Sequence, residues 1–576
     1  MHDESDISAL LWQEPRQPSE AQARPGRLVR LIGLSARPEL NGQTGVIATE
    51  LHPERNRVGV RVGGEVQLLA LKLSNIQVYD ADHSAWMAAA GDGDVDCVRR
   101  GLAAGIPADI ADEYGQTALW GAVYNNHGAV VEMLLDAGAQ CDIVRAGPNN
   151  SQGEATRLIV GATPFDMACQ LGHLGLVELL LTRRADPTRK GDGVRNPPIG
   201  HAAKYGQLGI AKLLIEHAAD VNDTSGAHTP LYGAVNHGTV THDDPGVWLR
   251  MVQLLLEAGA KVDLMAKNQN TTPLYQTARD DDVEVARALI DAKADVEKSP
   301  KDLRGSTTLN AASEMGAEML VRLLIARGAN VNSMIISSKC TPLYSAVKQG
   351  HVGIAKLLLS AAADANSRDV RGSTPLYESC FVGNVAMARA LIDATADVDA
   401  AKNSSTPLNL CAEMGNVAVV RLLIEKRADI HRPLDMGASP LWTASKKGHA
   451  EVVSALLSAG ANVNGPSSGG ESPLFVACED GQSEVARCLI AARAAVSQRT
   501  HDGATPLYIC VQNAGATGAR AGHTECVQVL IGAGARAEDA GALQSILAKF
   551  IVSGQWPKMV FLSQAQTVDP NLPPLL

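Results

Sequence analysis

What this 576-residue sequence has little of narrows it first. Aromatic residues make up only 3% of it, although hydrophobic residues reach 45%. A large single core draws on Phe, Tyr and Trp for buried area, so a core of Ala, Leu, Ile and Val suits short, closely packed helices instead. Positive charge is in deficit, with 51 Lys and Arg against 62 Asp and Glu and a formal net charge of −11. A chain that holds nucleic acid along its length needs the opposite balance. No apolar run approaches the roughly 18 residues of a membrane helix, so no membrane insertion is expected. The opening MHDESDISAL lacks the basic stretch and apolar run of a secretory or mitochondrial leader. Ten cysteines form no CxxC pair and no regular framework. That usage suits a reducing compartment, and the expectation is the cytoplasm, with the nucleus as the alternative.

The chain is too long for one ordinary core, which makes an internal repeat the first thing to seek. The tripeptide Thr/Ser-Pro-Leu supplies it, opening at Thr229, Thr272, Thr341, Thr374, Thr406, Ser439, Ser472 and Thr505. From Thr341 onward the spacings are 33, 32, 33, 33 and 33 residues. Degenerate copies open at Ser84, Thr117, Thr163, Pro197 and Thr307, giving 13 in all. The copy at Thr341 is physically legible. Thr341 is placed to cap a helix and Pro342 to occupy its first turn, where a missing N–H costs nothing. Leu343, Ala346 and Val347 share one face, and Gly350 permits the left-handed turn that ends the helix. Ile354, Leu357 and Leu358 form the stripe of a second helix, which a turn-rich link joins to the next copy.

This unit resembles the ankyrin repeat, with its Thr-Pro-Leu opening, Gly-His junction (Gly350-His351) and Gly-Ala-Asn-Val-Asn close (460–464), over about residues 82–540. The resemblance implies a mainly α fold, a solenoid of paired antiparallel helices with β-hairpin loops, and protein binding as its role. It also implies that the partner lies in a groove lined by hairpin tips and first helices. The groove slots just before the junction glycine read Lys204/Tyr205, Arg279/Asp280, Glu314/Met315, Lys348/Gln349 and Phe381/Val382, then Glu413/Met414, Lys446/Lys447 and Glu479/Asp480. The Phe381-Val382 pair, flanked by Met315 and Met414, suits an apolar anchor, and Lys446/Lys447 beside Glu479/Asp480 suits electrostatic register with a partner. Asn222, Asn332 and Asn464 stand where such repeats are asparagine-hydroxylated. The chain departs from the family in placing Tyr after the leucine (Tyr232, Tyr275, Tyr344, Tyr377, Tyr508), where packing within the stack is expected.

The ends differ. Residues 1–23 are polar and are expected to be disordered. Residues 24–80 hold short strand-like runs at 28–32, 44–48, 57–62 and 67–71, separated by turn residues, and read as a small all-β, SH3-like or KOW-like barrel. Seven Arg and one Lys against four Glu make residues 24–79 net +4, so nucleic acid is the alternative partner there, against a solvated or peptide-binding face. No interleaved aromatics for base stacking accompany that charge. Residues 541–562 are apolar and read as a capping helix, and 563–576 as an unstructured tail. Insertions fall at 146–161, 238–246 and near 515–518.

Chemistry is sparse. Neither GxxxxGK[ST] nor HExxH occurs. His127, His173, His351 and His449 recur at the junction slot and are read as structural. Cys169, Cys380, Cys411, Cys478 and Cys510 recur near the ends of first helices and are read as small buried thiols. No spacing demands a zinc site, and the expectation is no catalytic residue, no metal and no cofactor. A monomeric scaffold or adaptor for one or more proteins is the reading. Its alternative is an RNA-associated adaptor acting through 24–80.

Overall fold

In the computed structural model of the chain, the backbone follows the repeat residue by residue. Thr341 is in extended conformation and its Oγ1 accepts from the Tyr344 N–H at 3.3 Å, starting the helix Pro342–Gln349. Leu343, Ala346 and Val347 are buried. Gly350 closes the helix at φ +81°, where a side chain would be strained. His351 then opens the helix Val352–Ser360, which buries Ile354, Ala355 and Leu358. Leu357, expected in that stripe, is only half-buried and Ala355 takes its place.

The structure describes residues 28–31, 34, 44–47, 57–62, 69–72, 76–78 and 83–536, the last stretch interrupted at 104–105, 112–115, 144–162, 189–195, 237–243, 245, 267–270, 300–304 and 515–520. Among these residues are 26 helices, two for each of the 13 copies. The tails 1–23 and 563–576, the expected capping helix 541–562, and the insertions at 146–161 and 515–518 lie outside the described residues, as does most of 238–246.

The chain divides into two compact units, Met1–Lys298 and Ser299–Leu576. In each unit the first helix of a copy packs on the first helix of the next, and second helices pack likewise. Small side chains such as Ala234, Ala346 and Ala444 are fully buried in the first helices, which fits a core poor in aromatics.

The first unit opens with five strands: β1 (Leu28–Leu31), β2 (Thr44–Ile47), β3 (Arg57–Val62), β4 (Leu69–Lys72) and β5 (Ile76–Val78). They form one antiparallel sheet in the order β4-β3-β2-β1-β5. Val29 of β1 stands between Gly45 and Val78, and Arg57 of β3 faces Lys72 of β4. Leu31, Val58, Val60 and Ile76 are buried, while Arg57 and Lys72 are exposed. Four strands match the sequence expectation. The fifth was not anticipated, because three residues are too few to display alternation.

Candidate partner-binding surface

The groove slots sit at the ends of first helices, and at four of those ends the next copy braces the backbone. The Glu314 carbonyl accepts from the His351 ring at 3.1 Å, and the Glu413 carbonyl from the His449 ring at 2.9 Å. Asn416 Nδ2 donates to the Cys380 carbonyl at 2.9 Å, and the Glu479 carbonyl accepts from both Asn513 and the His523 ring. Carbonyls at a helix C-terminus have no partner within the helix. Here the junction residue of the following copy supplies one, so the slots are carried on a braced backbone. That is the work of His351 and His449, and His173 repeats it on the Tyr124 carbonyl at 3.4 Å.

The hairpin side is braced in the same way. Asn222 Oδ1 accepts from the Lys261 N–H at 2.7 Å, Asn332 from Asp364 at 2.8 Å, and Asn464 from Ala495 at 2.8 Å. Asp109 and Asp399 take the same place for Gln140 and Asp429. These asparagines therefore tie one loop to the next, and their side-chain amides are engaged.

Among the slots, Met315, Lys348, Gln349, Phe381, Val382, Met414 and Lys447 are exposed, and Lys204, Tyr205, Glu413, Lys446, Glu479 and Asp480 are half-buried. Phe381 exposes 58% of its surface and Met315 60%. Three of these lysines are engaged within the chain. Lys447 pairs with Glu413 at 3.1 Å and Lys446 with Glu479 at 3.8 Å, and Lys446 also lies over the Trp442 ring. Lys204 lies over the Tyr205 ring at 5.6 Å. The charges expected to set register with a partner are thus engaged within the chain, in half-exposed pairs of small energetic weight.

Among the exposed apolar residues that escaped the sequence reading are Ile336, Val370 and Met436, at 76%, 60% and 73% exposure. They stand at hairpin tips, where Val370 N–H donates to the Ser338 carbonyl and Ser468 N–H to the Met436 carbonyl. Each lies among turn residues (SMIISSK, SRDVRGS, PLDMGAS), a mismatch that could have flagged it. The tyrosines pack as expected in two copies: Tyr232 is buried and accepts from Thr271 Oγ1 at 2.9 Å, and buried Tyr344 reaches Asp369 and Glu378. Tyr275, Tyr377 and Tyr508 are half-buried.

Two constellations of reactive residues need placing. Gly465-Pro466-Ser467-Ser468-Gly469 spells a GxSxG pattern that the motif reading of the sequence missed, but Ser467 lies in a hairpin loop, its hydroxyl donating to Glu471 at 2.9 Å, and not at a strand-to-helix elbow. Cys478, Cys510 and Cys526 are fully buried, with all three sulfurs within 4.8 Å of one another. Hydrogen bonds with Cys478 and Cys510 draw the Cys526 thiol below the usual range, while hydrogen bonds with Cys510 and Cys526, and burial, push Cys478 up. Their spacing hid this meeting, since 32 and 16 residues separate them.

Capped helix pairs stacked in register, with side chains presented on first helices and loop tips, define a helical repeat protein. The profile of ankyrin repeats (3 copies) matches residues 62–145, 165–244 and, in overlapping stretches, 246–540. The chain belongs to the ankyrin repeat family. It is 29% identical over 287 residues to the ankyrin repeat and KH domain-containing protein mask-1 of Caenorhabditis elegans, covering 49% of this chain and 10% of that protein. It is 34% identical over 214 residues to the ankyrin repeat protein YahD of Escherichia coli (strain K12), covering 36% of this chain and 96% of that protein. The mouse B-cell lymphoma 3 protein homolog is 27% identical over 216 residues, 37% of this chain and 45% of that protein. Among solved structures, the human ASB11 ankyrin repeat domain aligns over 40% of this chain and 99% of its own, at 25% identity and a TM-score of 0.36. The chain thus spans a tenth of mask-1 and under half of the mouse homolog.

Proposed function

We propose that the chain is a non-catalytic scaffold or adaptor that binds partner proteins through the first-helix and hairpin face of its second unit. The observation that carries this is the apolar set Met315, Phe381, Val382 and Met414 on helix ends, with Ile336, Val370 and Met436 on hairpin tips, all exposed. Large apolar side chains left in water on braced elements mark association surfaces in soluble domains. Lys348, Gln349 and the Lys447–Glu413 and Lys446–Glu479 pairs supply the polar rim. Lys204 and Tyr205 offer a lesser contact in the first unit. The role is read for the cytoplasm and for a monomer. Parallel purifications with the full chain and with a Phe381→Ala/Met414→Ala variant test it by quantitative mass spectrometry. Partners that bind the proposed face drop out of the variant, and an unchanged set would place the groove elsewhere.

Residues 24–80 are assigned as a small SH3-like barrel, supported by five short antiparallel strands whose first strand pairs with both the second and the last. A second reading, nucleic-acid contact through this module, is favoured by the exposed Arg57–Lys72 pair and the net positive charge. Binding of the full chain to RNA at low salt that Arg57→Glu/Lys72→Glu abolishes would support it. Asparagine hydroxylation at Asn222, Asn332 and Asn464 is a further proposal. Peptide mass spectrometry without a one-oxygen addition at these sites removes it.

A further inference from the structure

Cys478 lies in the helix Pro473–Glu479, Cys510 in Pro506–Ala514 and Cys526 in Ala521–Gly532, so two successive copies each contribute to one cluster of sulfurs. A buried cysteine is ordinarily a small hydrophobe, and single thiols elsewhere in the chain fit that description. This cluster does not. At equivalent places other copies carry hydrocarbon: Ala278 for Cys478, Ala444 for Cys510 and Val452 for Cys526, all buried. Packing is thus met without sulfur, yet sulfur replaces hydrocarbon at three places on three helices, and the three meet.

We propose that Cys478, Cys510 and Cys526 bind a thiophilic d10 metal ion, zinc(II) or copper(I), as three thiolates. Metal–thiolate bonds of roughly 2.3 Å set sulfurs about 3.8–4.0 Å apart around a shared ion. Sulfurs mutually within 4.8 Å reach that arrangement by side-chain adjustment alone. Among the described residues no carboxylate or ring nitrogen joins the group within that radius. The all-sulfur set selects soft ions over magnesium, calcium or manganese. Binding converts three S–H groups to three S–metal bonds and releases three protons; no electron moves, so no oxidant is needed. The two ions divide on opposing grounds. Zinc leaves one net negative charge in a dry core against two for copper(I), whereas copper(I) is satisfied by the softer, lower-coordinate set. The copies at Thr374 and Thr406 provide an internal control: Cys380 and Cys411 repeat the first two positions, but Val419 replaces the third, and no ion is expected there.

The test titrates the reduced full-length chain anaerobically with zinc(II) alone and with copper(I) alone, each against an excess of a chromophoric chelator. One ion per chain is expected to survive desalting in one of the two arms, with a thiolate-to-metal absorption band and protection of the three cysteines from alkylation. Cys526→Val and Cys510→Ala each restore a residue that another copy carries, and each should lose the ion while keeping the wild-type helical signal. Cys380→Ala should keep it. If Cys526→Val fails to fold, Cys510→Ala decides alone. An ion held equally well by the folded cysteine variants, or none held by the wild type in either arm, overturns the proposal.

Discussion

The two units of the chain are built from one repeat but treat their surfaces differently. Among the described residues of the first, Tyr124, Leu171 and Leu174 are the large apolar side chains left exposed. Among its described residues the second exposes nine: six on the slots and hairpin tips described above, with Val382 beside Phe381, Met319 and Met334. Its period is also the more regular, and every first helix from Thr307 to Thr505 is capped by a Thr or Ser side chain. In the first unit Pro197 holds the cap position without a side-chain bond. Regular capping braces the backbone, and on a braced backbone apolar side chains can be held ready in water. The comparison separates a unit with nine exposed large apolar side chains among its described residues from one with three.

The largest test of that difference acts on stability. Leu423 is fully buried in the second unit, and Leu423→Ala should cost about 4 kcal/mol. Because each copy touches only its neighbours, amide exchange should speed up around residues 374–464 and stay unchanged at 83–143. Uniform loosening of both regions would erase the distinction between the units.

A pH-dependent loss should instead single out the first unit. Burial, helped by the Lys204 charge, holds the His201 ring down to about 4 from an ordinary 6.5. The unfolded chain therefore takes up that proton first as pH falls. The contribution is full above about pH 6.5 and is lost on the way to pH 4, a change of about 3 kcal/mol. His201→Val, which copies the buried Val476 at the equivalent place, should flatten this part of the pH profile in equilibrium unfolding. A profile unaltered by the substitution would assign the acid sensitivity elsewhere.

Much of this fold was legible in the sequence because the repeat's chemistry is local. Thr-Pro-Leu encodes a cap, a first-turn proline and the first core contact within three residues, and Thr341, Pro342 and Leu343 perform those roles. What was hidden depends on neighbours distant in sequence. Lys446 and Lys447 read as free charges until Glu479 and Glu413 were seen beside them. Ile336, Val370 and Met436 looked like loop residues, since nothing local says that a tip stays in water. The cysteine cluster needed two first helices and one second helix in register before three unremarkable positions converged.

A smaller effect sharpens the comparison through backbone strain. The turn after the second helix holds Gly328 at φ +83° and Gly460 at φ +92°, but Thr395 occupies the same place at φ +70°. A β-branched residue in that conformation is strained, so Thr395→Gly should stabilise the second unit by about 1 kcal/mol. Thermal melts of the variant would check this, and a lower melting temperature would mean that Thr395 makes contacts outweighing its strain.

The central claim is that the exposed apolar face of the second unit is what partner proteins bind. The most direct measurement takes a partner recovered with the full chain and compares its Kd for wild type, for Phe381→Ala/Met414→Ala, and for a Tyr124→Ala/Leu174→Ala control in the first unit. Loss of these two exposed apolar anchors should weaken binding by about a hundredfold, with the control within a few-fold of wild type. Equal affinities for wild type and the Phe381/Met414 variant, or a larger loss in the control, would contradict the account.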